Sequence, residues 1–141
     1  MVDKDVVTAK LVDLVDRIER ARGHCPATPA ELATDRDALD LVSFNLMLAV
    51  QICADVAAHL IADAGWATPR TLAEAFDRLV QHGVTPRATG ERLKRAIGLR
   101  NIVAHGYARI DATIVHDAAV HGLADLEAFA ADVARFVQSR P

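Results

Sequence analysis

Cysteine, proline and aromatic residues are scarce in this chain. The two cysteines, Cys25 and Cys53, stand apart without a Cys-x-x-Cys or Cys/His spacing, so neither a disulfide framework nor a zinc site is expected, and a reducing cytoplasm fits. The five prolines and most of the seven glycines fall where segments begin and end. No apolar stretch alternates with period two between turn residues, which argues against strands. Long hydrophobic runs are missing too. The longest without a charge, Leu41 to Ala54, has 14 residues and includes Asn45 and Gln51, too short and too polar for a membrane span. No basic start leads into an apolar run with a cleavage site, so no secretory signal is expected. The formal net charge of −3 excludes an overall basic coat for nucleic acid.

What remains is a chain of 141 residues, enough for one domain with a sizeable core, and a pattern of helices. Val7, Leu11, Leu14, Val15 and Ile18 give a first amphipathic helix over 3–22 that stops at Gly23. Thr28-Pro29-Ala30-Glu31 joins an N-cap, a first-position proline and a capping-box glutamate. From there no Pro or Gly interrupts the chain until Gly65, so one long helix to Ala64 is predicted, bent or serving as the spine of a bundle. Between Leu39 and Ala62 it is apolar almost all round, interrupted by Asn45, Gln51, Asp55 and His59. A short helix follows over 71–82 behind Thr71-Leu72-Ala73-Glu74. Thr85-Pro86 starts a fourth by the same logic as Thr28-Pro29. Asp111 caps a short helix from Ala112 to His121, Gly122 separates it from the last element, and Leu123, Leu126, Phe129, Val133, Phe136 and Val137 form the stripe of a helix to Ser139. The reading is a single all-α domain over 1–141.

The acidic total hides one basic segment. Between Arg87 and Arg109 stand Arg87, Arg92, Lys94, Arg95, Arg100 and Arg109 against Glu91 alone. That balance suits a polyanion, and Arg92, Lys94, Arg95 and Arg109 are the candidate RNA contacts; a solvated helix face or a surface for an acidic partner gives the same count. The segment closes on Arg100-Asn101-Ile102-Val103-Ala104-His105-Gly106-Tyr107, which includes the chain's one tyrosine. Arg100 projects toward the apolar side of its helix, where an unpaired guanidinium is costly, so it needs a carboxylate, a cleft or a subunit interface. Asn101 and His105 share a face, whereas Arg100 and His105 diverge by about 140° on an ideal helix. His105 ends the helix, where the macrodipole favours a cation. An Arg and a His of this kind suit RNA cleavage by attack of the 2′-hydroxyl on the adjacent phosphorus, with His105 moving protons and Arg100 meeting the phosphoryl charge. DNA, lacking that hydroxyl, would survive.

Arg, four residues, His, one residue, Tyr, with a polar residue directly after the Arg, resembles the signature of HEPN-domain ribonucleases of the HepT toxin type. The apolar helix near 38–64, the helix at 71–82 and the closing helix at 123–139 also follow that family's order. Gly106 departs from it, standing where a larger, often acidic residue is usual. The resemblance implies an up-and-down HEPN-like bundle with a long central helix and short additional helices, forming a homodimer in which two motifs meet in one cleft. It implies the toxin of a type VII toxin–antitoxin system, a metal-independent endoribonuclease without cofactor, with Arg100, Asn101 and His105 as catalytic residues and Asp55 as a candidate supporting acid. The implied partner is an MntA-like nucleotidyltransferase antitoxin that adenylylates Tyr107. The competing readings are a non-catalytic HEPN module that binds nucleotide or RNA beside such a partner, and a purely structural dimerising bundle.

Overall fold

A computed structural model describes residues 3–105 and 110–140. Among these every regular element is helical: α1 (Lys4–His24), α2 (Pro29–Thr34), α3 (Arg36–Ala64), α4 (Leu72–Gln81), α5 (Arg87–His105), α6 (Ala112–Asp117), a π-helical turn (Ala118–Gly122) and α7 (Leu123–Gln138). Several starts follow the side-chain capping expected of them. Thr28 Oγ1 accepts from the Glu31 N–H at 3.2 Å, Thr71 Oγ1 from Glu74 at 3.1 Å and an Asp111 carboxylate oxygen from Thr113 at 2.9 Å. Gly65 and Gly83, at φ 71° and 74°, take the left-handed conformation that ends α3 and closes the turn after α4.

Helix α1 runs through Gly23, its expected stop, to His24, and three further boundaries differ from the sequence reading, each for a local reason. The stretch from Thr28 to Ala64 is two helices, because Asp35 serves both. Its backbone N–H closes α2 on the Glu31 carbonyl at 3.1 Å, while its carboxylate accepts from the Ala38 N–H at 3.0 Å and opens α3. Thr85 does not cap α5; its hydroxyl instead donates to the buried Asp132 carboxylate of α7 at 2.8 Å. Gly122, expected as a break, has helical φ −72° and ψ −29°, so α6 runs through the π turn into α7.

The 29 residues of α3 form the axis of the bundle, with α1, α4, α5 and α7 packed round it. Val42, Leu46, Ala49, Val50, Cys53, Val56, Ala57 and Leu60 are fully or almost fully buried on α3, and Phe76 of α4 meets Phe129 of α7 edge to face at 5.7 Å. Over its most apolar window α3 has a mean hydropathy of 1.8, long and apolar enough for a span, a stronger signal than the uncharged run alone suggested. As 56% of that window is buried inside the bundle, core packing accounts for it. Burial pushes the Cys53 thiol far above its ordinary range, the state of a packing residue rather than a reactive one.

Candidate functional site

Helix α5 aims its side chains by the same periodicity that packs it. Leu93 and Ile97 are buried against the bundle, and Arg100 follows Leu93 by seven residues, nearly two turns, so it points toward α3 as they do. Near the end of α5 the packing thins, and the Arg100 guanidinium is half-buried. It is firmly held there. Its Nε and Nη2 donate to Gln51 Oε1 of α3 at 3.1 and 2.5 Å, and its Nη1 donates to Asn101 Oδ1 at 2.6 Å. One turn along α3, Gln51 Nε2 donates to Asp55 Oδ1 at 2.9 Å. Asp55, Gln51, Arg100 and Asn101 thus form one chain of hydrogen bonds across α3 and α5. Of the five N–H donors of a guanidinium, three are engaged among the described residues, which leaves two without a partner there.

The expected residues are therefore only partly brought together. Arg100 and Asn101 lie side by side, and Asp55 joins them through Gln51 rather than directly. His105, the last residue of α5, is exposed, and the 140° divergence from Arg100 stands. Tyr107 and Arg109 lie outside the described residues. Gln51 is the residue that sequence reasoning missed. Its signal was present, as a polar interruption of an apolar helix one turn before Asp55, yet nothing in the pattern tied it to α5. The other interruptions on α3 serve structure. Asn45 donates to the Leu41 carbonyl at 2.8 Å and accepts from Arg17 at 3.1 Å, while His59 Nε2 sits 3.1 Å from Asp63 Oδ2.

The basic segment divides into paired and unpaired cations. Lys94 is bound by Asp77 at 3.0 Å and Glu91 at 3.1 Å; the hydrogen bond it donates to Asp77 first, then the one to Glu91, holds its ammonium above the usual range. Arg92 faces Asp125 of α7 at 3.6 Å. Arg95 is exposed and makes no ion pair or hydrogen bond among the described residues. Arg92 and Arg95 stand at the mouth of a cleft of about 280 Å³ floored by Leu46, Val50, Leu99 and Leu126. The residues lining that cleft do not include Arg100 or His105, so the cleft and the polar chain are separate features of α5. A shallower depression of about 500 Å³ beside the helix end is lined by Leu41, Phe44, Met47, Val103 and Ile110, with Leu41 and Phe44 exposed. No group of three or more His, Cys, Asp or Glu side chains gathers at metal-binding distance among the described residues.

Comparison with known proteins agrees with this architecture. A family described as "Ribonuclease HepT-like" matches residues 14–133. A Shewanella oneidensis protein named mRNA nuclease HepT is 27% identical over 128 residues, covering 89% of this chain and 93% of that one. Among solved structures, the tri-AMPylated HEPN toxin of Shewanella oneidensis in complex with MNT antitoxin superimposes with a TM-score of 0.86 at 25% identity, over 94% of this chain and 98% of that one. YutE from Bacillus subtilis, a cytosolic protein of unknown function, gives a TM-score of 0.85 at 14% identity, over 98% and 92% of the two chains, a likeness of fold alone.

Proposed function

The chain belongs to the HepT-like ribonuclease family, and from that premise we propose that it is a toxin that cuts RNA in the cytoplasm without a metal ion and is silenced by a nucleotidyltransferase antitoxin. The observation that carries this reading is Arg100, half-buried and held by Gln51 and Asn101 with two N–H donors left over, five residues before an exposed His105. In the proposed reaction the RNA 2′-oxygen forms a bond to phosphorus as the bond to the 5′-oxygen breaks. The 2′-proton leaves to a neutral His105 and a proton reaches the departing oxygen from a charged one, while the free N–H groups of Arg100 meet the non-bridging oxygens. The products are a 2′,3′-cyclic phosphate and a 5′-hydroxyl.

One chain offers one His105, and it faces away from Arg100. A homodimer with the motifs at its two-fold axis supplies a second histidine and brings the Arg of one subunit toward the His of the other. The exposed Ile102, Leu41 and Phe44 around the end of α5 suit such a contact. Arg95, exposed and without an ion pair among the described residues, is the strongest of the candidate RNA contacts; Arg92 and Lys94 add charge already shared with acids. Tyr107 is the proposed target of the antitoxin: its phenolic oxygen attacks the α-phosphorus of ATP, pyrophosphate leaves, and an adenylate charge lands two residues beyond His105, where RNA phosphate must bind.

Purified protein incubated with RNA and with DNA of the same sequence, in chelator, tests the reaction. RNA cut to 5′-hydroxyl ends with the DNA intact is expected; cutting of both, or cutting that requires added metal, overturns it. Bound but uncut RNA moves the assignment to the non-catalytic module. Intact-mass analysis after co-expression with a nucleotidyltransferase partner tests the switch, with adenylate on Tyr107 and loss of growth inhibition as the expected pair.

A further inference from the structure

Asp55 and Arg100 carry opposite charges on neighbouring helices and yet do not touch. Gln51 stands between them, giving its amide N–H to Asp55 at 2.9 Å and its amide oxygen to two nitrogens of Arg100 at 3.1 and 2.5 Å. A carboxylate only accepts and a guanidinium only donates, so the group that bridges them must donate at one end and accept at the other. Glutamine does both, and its two neighbours leave one sense for the amide. The arrangement orients Arg100, because one oxygen takes both the Nε and Nη2 donors. Unlike a salt bridge, it does not cancel the guanidinium charge, since the nearest acceptors of Arg100, Gln51 Oε1 and Asn101 Oδ1, are neutral amides. Three buried residues flank this polar pair on α3, Val50, Ala54 and Val56, so the backbone that carries it is fixed by the core.

We propose that Gln51 is a positioning residue of the site: it locks the Arg100 guanidinium in place while keeping the Asp55 carboxylate from neutralising it, so that the full positive charge is presented to an RNA phosphate. This rests on the reading of Arg100 as the phosphate-binding group. It differs in sign from a structural role, in which Gln51 merely satisfies a half-buried arginine. If the role were structural, Gln51→Glu would convert a neutral contact into an ion pair and leave activity alone. If Gln51 preserves charge, the same substitution keeps Arg100 in place and removes function.

The experiment compares wild type, Gln51→Glu and Gln51→Leu for kcat and KM on an RNA with one cleavage site, and exchange protection of the Arg100 Nε–H by NMR. Gln51→Glu loses the donation to Asp55, so its melting point is no test of the role; it is expected to keep the Arg100 N–H protected while kcat falls about tenfold or more, as for loss of a charge-stabilising group, with a smaller change in KM. Gln51→Leu loses both protection and kcat. Wild-type kcat in Gln51→Glu overturns the proposal. If wild type itself cuts no RNA, the ribonuclease reading fails and binding decides this one: a cleavage-resistant RNA with a 2′-deoxy linkage is titrated into His105→Ala with and without Gln51→Glu. Affinity at least about tenfold weaker and a shallower salt dependence in the double variant support charge preservation, whereas equal affinity, or no binding to either protein, overturns it.

Discussion

Between Arg87 and Ile97, α5 is wedged into the bundle; between Gly98 and His105 none of its residues is fully buried. The first half sets Leu93 and Ile97 in the core, ties Lys94 to Asp77 and Arg92 to Asp125, and passes so close to α4 that a Cβ on Gly90 would stand 2.6 Å from Val80 Cγ2. The second half has Arg100 joined to α3 by polar bonds alone. One helix therefore takes its rigidity from one end and carries the proposed site at the other, where guanidinium donors of Arg100 have no partner among the described residues. Interiors packed to crystal density have no room for a substrate, and the proposed chemistry is accordingly assigned to the end where the bundle opens.

The largest effect that can break this contrast is on turnover. His105→Ala and Arg100→Ala should each lower RNA cleavage by about 10²-fold or more while folding and oligomeric state persist; single-turnover rates beside a melting curve check this, and undiminished cleavage would strip the second half of its chemical role. Next comes Gly90→Ala, which forces Val80 to move and should destabilise the fold by about 1–3 kcal/mol, read from the urea midpoint. The same substitution eight residues on should act in the opposite direction. Nothing lies within 4 Å of a Cβ on Gly98, so Gly98→Ala should stabilise by about 0.5–1 kcal/mol through helix propensity alone; a loss instead would mean that the outer face of α5 is covered at close range.

The smallest effect lies far from α5, where Arg22 of α1 grips Glu127 of α7 at 2.7 and 3.4 Å. The hydrogen bond from Arg22, ahead of its charge, holds the Glu127 carboxyl below its ordinary range. Its contribution is thus present above the unfolded value near 4.5 and disappears as pH falls through the lower folded value. Because both side chains are 49% exposed, Glu127→Gln should cost less than about 1 kcal/mol at pH 7 and nothing at a pH below both values. A gap between variant and wild type that widened in acid would contradict the assignment.

Local chemistry was legible in the sequence and cross-chain chemistry was not. Thr28, Thr71 and Asp111 could be read as caps because each bonds within three residues of itself. Thr85-Pro86 has the same dipeptide form as Thr28-Pro29, but its hydroxyl is taken by Asp132, 47 residues away, and no pattern over a short window reports that. Asp35 was overlooked because an acid inside a helical stretch is tolerable, and its double role appears only when α2 and α3 part. The motif from Arg100 to His105 could be found from residue types and spacing. Gln51 could not, since a glutamine on an apolar helix acquires its meaning from the arginine that α5 brings opposite.

The π-helical turn at Ala118–Gly122 bears on how this chain should be aligned with its kin. Val115, Ala119 and Leu123 are all buried, yet eight residues of ideal α-helix would carry Leu123 about 80° past Val115; the wider turn takes back part of that rotation. Such a turn holds one residue beyond what α geometry needs. Relatives with a plain α turn here should be one residue shorter, and a single gap belongs within 118–122 rather than in the chain on either side.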